Sequence, residues 1–243
     1  MVFEARAYVD VKNKRVLIIG GSSGIGFATA TAAAAAGATV TIASRSSEKL
    51  RAASARLSGV DTQVLDVTKE DDVEAFFSRI GPFDHVVVSG SETTFAPVRS
   101  LSLSDAYRSM DSKFWGAYRV ARAARIADGG SLTFISGFLS VRPRTGAVIQ
   151  GAINAALESL TRGLALEFAP VRVNCISPGL IATEMYDDLD VDARRALFEG
   201  VATSQPVGFV GKPEHVAMQI LAFLANPFVT GSTVYVDGGG SIA

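Results

Sequence analysis

The chain has 243 residues, 48% hydrophobic and 19% charged, with a formal net charge of -1 at pH 7. That length allows one or two domains, α/β chains of this size often folding as one, and the apolar content supplies a sizeable core and excludes a disordered chain. The near-zero charge argues against a nucleic-acid binder, which needs a basic surface. Cys175 is the single cysteine, so no internal disulfide can form, which suits a reducing compartment.

The N-terminal stretch 1–16 is mixed and charged, without the apolar centre of a signal peptide. The best candidate for a membrane span is 27–43, but threonines and Gly37 interrupt it, and it falls short of about 20 strongly apolar residues. It reads better as an alanine-rich helix followed by a buried strand. A cytoplasmic protein without membrane or nucleic-acid partners is expected.

In chain order, short apolar runs at 15–20, 38–43, 62–67, 85–90, 131–137, 171–177 and 232–237 alternate with helical stretches. The runs are near-continuous in Val, Ile, Leu and Thr, as strands covered on both faces require. The helical stretches are 25–36, 48–57, 70–79, 104–127, about 146–168 and 213–225, the last opening on a proline tolerated in a first turn. This alternation predicts a doubly wound α/β fold in a single domain, 1–243. The one long interruption, 180–211, follows the sixth strand, where a substrate lid would sit.

The first strand runs into Gly20, Gly21, Ser22, Ser23, Gly24, Ile25 and Gly26, which open a helix. Glycines at this junction permit the tight turn and let backbone N–H groups approach a pyrophosphate. The second strand ends at Ala43-Ser44-Arg45-Ser46. It lacks the carboxylate that would accept NAD ribose hydroxyls and offers Arg45, which favours a 2′-phosphate and hence NADP(H). Ser22 and Ser46 are candidate hydroxyl donors. Asp66-Val67, ending the third strand, reads either as an adenine-edge contact or as a turn. His85, His215 and Cys175 read as structural, and no metal ion is expected.

These features resemble the short-chain dehydrogenase/reductase family over nearly the whole chain. The motifs that carry the resemblance are Gly20-x-x-x-Gly24-x-Gly26, Asp66-Val67, Ile135-Ser136, Ala155-Ala156-Leu157, Arg172-Val173-Asn174-x-Ile176-x-Pro178-Gly179, Thr183 and Val236-Asp237-Gly238-Gly239. The resemblance implies a Rossmann-type sheet of seven parallel strands in the order 3-2-1-4-5-6-7, with helices on both faces. It also implies a nicotinamide cofactor, a small-molecule substrate, and a homodimer or homotetramer. Gly20, Ser22, Ser23, Gly24, Ile25, Gly26, Arg45, Asp66, Val67, Ser89, Gly90, Pro178, Gly179, Ile181 and Thr183 fall at its cofactor-binding positions.

The family's catalytic set is Asn, Ser, Tyr and Lys, the last two spaced Y-x-x-x-K. Ser136 matches the serine. Aligned on Ala155-Ala156-Leu157, the lysine position holds Asn154 and the tyrosine position holds Gln150. The asparagine position, three residues before Gly116, holds Lys113, and Val88-Ser89-Gly90-Ser91 stands where the family has N-N-A-G. An amide does not titrate, so Gln150 cannot replace the tyrosine as an acid. Asn and Lys read as exchanged, which predicts that Lys113 returns a positive charge to the site. The proton donor is left among Ser136, Lys113, a lid residue such as Tyr186, and water, with Arg142 and Arg144 as candidate oxyanion stabilisers. The expected activity is NADP(H)-dependent hydride transfer involving a small carbonyl, enone or imine-type substrate. The alternatives are a cofactor-binding protein without redox catalysis, or a non-redox lyase or isomerase.

Overall fold

The computed structural model describes residues 11–243; residues 1–10, most of the N-terminal stretch read above, lie outside the described residues. Seven strands form one sheet: β1 (Arg15–Ile19), β2 (Thr39–Ser44), β3 (Asp61–Val64), β4 (Phe83–Val88), β5 (Ile126–Ile135), β6 (Arg172–Pro178) and β7 (Thr233–Val236). Their spatial order is β3-β2-β1-β4-β5-β6-β7, every pairing is parallel, and this is the order the resemblance implied.

The continuous apolar runs have a direct cause. Val16 and Ile18 enter a core on one face of β1, with Ala30 of α1 (Gly24–Ala35), Leu50 of α2 (Ser47–Arg56) and Ile220 of α8 (Pro213–Ala225). Leu17 and Ile19 enter the opposite core, with Phe76 of α3 (Glu70–Arg79), Val120 of α5 (Gly116–Ala123) and Leu157 of α6 (Val148–Glu167). A strand buried on both faces has no solvated positions at which to alternate. Among the described residues, no helix is long and apolar enough to cross a membrane.

Two segments differ from the expectation. The single helix expected over 104–127 is α4 (Leu103–Met110), a π-helical turn (Asp111–Trp115) and α5, and the chain is already extended at Ile126. The early start of β5 is absorbed by a register shift between Phe83↔Ile126 and His85↔Ser131. There Gly130 lies so close to Asp84 that a Cβ would come within 2.1 Å of its carbonyl oxygen. Helical periodicity does not reveal either irregularity, because local apolar spacing continues through both.

β1 pairs with β2 on one side and β4 on the other, so the direction in which successive strands are added reverses between β1 and β4. In doubly wound sheets ligands bind outside the carboxyl ends of strands at such a point. The segment 180–211 rises from that edge. Its base is clipped where Ile181 pairs with Gly211, and it carries a 3-10 turn (Glu184–Tyr186) and α7 (Val191–Ser204). Its acidic run works within the segment: Asp190 caps α7, Asp187 pairs with Arg194, and Asp192 pairs with Arg195.

Candidate active site

A cleft runs along the carboxyl ends of β1, β4, β5 and β6. One end is a groove of about 580 Å³ lined by Gly20, Ser22, Ser23, Gly24, Arg45, Val67 and Thr68. The other is a cavity of about 630 Å³ lined by Lys113, Ser136, Gln150, Asn154, Pro178 and Ile181. Ile25, Ser89, Ser91, Thr183 and Met185 line both, so the two ends are continuous.

The groove is built from backbone. Gly20 has φ +82°, and a Cβ there would lie 2.3 Å from the Gly90 nitrogen; a Cβ on Gly26 would lie 2.1 Å from the Gly20 carbonyl oxygen. The β1–α1 turn therefore packs directly on the strand-end loop after β4, where Ser89 and Gly90 donate to the Ile19 carbonyl. Ser23 occupies the N-cap of α1, and its hydroxyl makes no cap hydrogen bond. The Gly24 N–H donates to the carboxylate of Glu184 at 3.0 Å, so an anion from the 180–211 segment rests on the helix N-terminus.

Arg45 lines the groove and pairs with Glu92 at 2.9 Å, both side chains being about half exposed. Ser46 caps α2 through Lys49 N–H, so its hydroxyl oxygen serves the helix end. The Asp66 carboxylate accepts the N–H and the hydroxyl of Thr68, closing a turn. Burial would raise that carboxyl, but the two Thr68 hydrogen bonds and nearby Arg45 hold it below the ordinary range. Val67 and Thr68, rather than the Asp66 side chain, line the groove.

The cavity is built from side chains. Lys113 projects from the middle of the π turn and donates to the Asn154 amide oxygen and the Ser136 carbonyl, both at 2.7 Å. The two residues that read as exchanged thus touch across 41 positions of sequence. Gly137 is required here, since a Cβ on it would meet the Asn154 amide at 2.7 Å. Burial pulls the Lys113 amine down to about 8, with the thiol of Cys175 and the carboxylate of Glu158 pulling the other way. An ammonium has three donors, and two are engaged.

Gln150, Asn154 and Glu158 follow one another at four-residue spacing on α6 and are all buried. The Gln150 amide nitrogen donates to the Thr94 carbonyl, and its amide oxygen is buried without a partner among the described residues. Thr94 is held in turn by its N–H to the Ser109 hydroxyl, while Glu92 N–H donates to Ser112. The Ser136 hydroxyl is 4% exposed and points inward, within hydrogen-bond reach of Glu158 and the Ile176 carbonyl. Tyr186 and Arg144 line the cavity with Arg142; burial pushes the Tyr186 phenol up, and Arg144 only partly opposes it.

Pro178 and Gly179 are braced by the last motif of the chain. A Cβ on Gly179 would approach Asp237 Cα to 2.8 Å, and Asp237 accepts the N–H groups of Gly239 and Ser241. His85 bonds Ser131 in the interior and burial lowers it to about 4, His215 caps α8 through Lys212 N–H, and burial pushes the Cys175 thiol up to about 11. None of these three lines the cleft. Sequence reasoning missed Glu158 and Glu184. Neither stands in a motif, and only its contacts reveal its place.

The family model described as enoyl-(acyl carrier protein) reductase matches residues 20–241. Carbonyl reductase family member 4 of Xenopus laevis is 30% identical, over 93% of this chain and 98% of its own. The 3-oxoacyl-[acyl-carrier-protein] reductase FabG of Chlamydia muridarum is 31% identical, over 93% of this chain and 97% of its own. A solved small-chain dehydrogenase in complex with NADPH superposes with a TM-score of 0.84 at 35% identity, covering 96% of this chain and 100% of that one.

Proposed function

The chain belongs to the short-chain dehydrogenase/reductase family, and from that premise we propose an NADP(H)-dependent oxidoreductase that draws its proton from Lys113. The substrate class is a small carbonyl, enone or imine-type compound. The observation that carries the reading is the Lys113 ammonium at the cavity wall, held by Asn154 and the Ser136 carbonyl.

The groove fits a dinucleotide on its own geometry. The cradle has no room for a Cβ at Gly20 or Gly26 and little at Gly90, and the Gly24 N–H already accommodates an anionic oxygen. Gly20, Ser22, Ser23, Gly24 and Ile25 would hold the pyrophosphate, Arg45 a 2′-phosphate, Val67 and Thr68 the adenine side, and Ser89, Gly90, Pro178, Gly179, Ile181 and Thr183 the nicotinamide side. The NADPH complex of a 35% identical relative supports this reading. A bound NADP(H) supplies or accepts the hydride.

The protein's own residues handle the proton. Charge develops on the substrate heteroatom during reduction, and the third N–H of Lys113 is free to meet it. An amine at about 8 is matched to proton transfer near neutrality. The other candidates fit less well. The Ser136 hydroxyl is turned to Glu158, the Tyr186 phenol is a weaker acid than an ordinary tyrosine, and Gln150 does not titrate. The unpartnered Gln150 oxygen suits a hydroxyl or N–H of the substrate, because a buried acceptor gains most from the group that satisfies it. In oxidation the roles reverse, and the neutral Lys113 amine takes the proton. Assembly as a homodimer or homotetramer belongs to the same reading.

Calorimetric titration with NADPH and NADH, followed by transfer from C4-deuterated NADPH to activated carbonyls, enones and iminium ions, tests the proposal. Preferential NADPH binding and deuterium in the product are expected. Binding without transfer to any of them would favour a cofactor-binding protein, and product formed without cofactor consumption a non-redox enzyme.

A further inference from the structure

Behind the cavity wall lies a cluster that the reading above does not use. The Glu158 carboxylate is buried, and the hydroxyls of Ser136, Ser140 and Ser177 reach one of its oxygens at 2.9, 2.7 and 3.1 Å. The Tyr235 hydroxyl reaches the other at 3.3 Å. These donors come from the end of β5, the 3-10 turn after it, β6 and β7, so four segments converge on one side chain of α6. A buried carboxylate is costly unless it is hydrogen-bonded and paired. Here the hydrogen bonds are supplied directly, and the opposite charge stands one residue away. Ser136 offers its hydroxyl to Glu158 and its carbonyl to Lys113. The two charges therefore lie on opposite sides of a single residue, without touching.

We infer that Glu158 is a positioning residue for Lys113: it fixes the Ser136 carbonyl against the ammonium and keeps that ammonium charged in the buried wall of the cavity. The inference rests on the reading of Lys113 as the proton source. The titratable groups that face the pair are few. Lys113 comes from the π turn, Glu158 from α6, Cys175 from β6 and Tyr235 from β7, while β5 and the 3-10 turn contribute only serines. Burial pushes both the Cys175 thiol and the Tyr235 phenol up, so both stay neutral near pH 7. Glu158 is then the negative charge that opposes the desolvation of Lys113. Without it, burial is less opposed and the amine loses its proton at lower pH.

The test is the titration of Lys113, followed by the carbon shift of its Cε in the cofactor-free protein, for the wild type, Glu158→Gln and Glu158→Asp. Glutamine keeps the volume and most of the hydrogen bonds but removes the charge; aspartate keeps the charge. The expected result is a drop of about one pKa unit in Glu158→Gln, a tenfold loss of the protonated form on the alkaline side. In Glu158→Asp, Lys113 should titrate nearer to the wild type than in Glu158→Gln. A Lys113 that titrates alike in the wild type and Glu158→Gln, or that shifts equally in both variants, would overturn the inference. Because the readout needs neither cofactor nor turnover, it separates failure of the inference from failure of the proposed reaction.

Discussion

The two ends of the cleft are built from different material. At the groove, specificity is written in the absence of side chains: Gly20, Gly26 and Gly90 pack backbone on backbone, and the Gly24 N–H at the helix start meets an anionic oxygen. At the cavity it is written in long side chains that cross the fold, Lys113 reaching Asn154 and Glu158 gathering three serines and a tyrosine. A backbone cradle tolerates little substitution, because a Cβ at Gly20 or Gly26 collides with backbone. A side-chain site can exchange partners across the cavity while the space and the charge persist. The reading proposed here is that this chain keeps the first kind of site and has rewired the second.

Three substitutions at the groove probe that contrast. The largest effect is expected from Gly20→Ala. The added Cβ collides with Gly90 and sits at a positive φ, so a stability loss of about 1–3 kcal/mol and loss of NADPH binding are expected from thermal denaturation and calorimetry. Binding that survives would show that the cradle is not the dinucleotide site. A smaller effect is expected from Arg45→Ala, which removes a charged hydrogen bond to a 2′-phosphate. The ratio of NADPH to NADH affinity should fall by about ten- to a hundredfold, with NADH binding little changed. An unchanged ratio would leave Arg45 simply as the partner of Glu92. The smallest effect has the opposite sign. Glu184 places a carboxylate on the Gly24 N–H that a pyrophosphate would need, so Glu184→Ala should tighten NADPH binding by about two- to tenfold. Weaker binding in that variant would mean that Glu184 helps to hold the cofactor rather than competing with it.

The same contrast explains what was legible in the sequence. The alternation of strands and helices and the β1–α1 turn were readable because glycine spacing and continuous apolar runs record steric necessity, whereas the sheet order came only with the family resemblance. Lys113 and Asn154 read as a pair of departures from a family pattern, and the structure places the two in contact. The π turn that aims Lys113 was not readable, since Asp111–Trp115 continues the helical periodicity on both sides. Glu158 was hidden for a different reason. It sits eight residues after Gln150 on a helix whose face could be known only once β5, β6 and β7 were in place. Of the two readings the sequence left open for Asp66, the structure shows the turn, closed by its carboxylate with Thr68, while Val67 and Thr68 line the groove.

The most direct test of the rewired site is the pH dependence of single-turnover hydride transfer from NADPH, compared between the wild type and Lys113→Met. On the proposed reading, reduction needs the protonated amine. The wild-type rate should be level below about pH 8 and fall above it, where Lys113 loses its proton. Lys113→Met should bind NADPH normally, transfer hydride about 10²–10⁴-fold more slowly, and lose that alkaline limb. A Lys113→Met protein with the wild-type rate and the same fall above pH 8 would contradict the account.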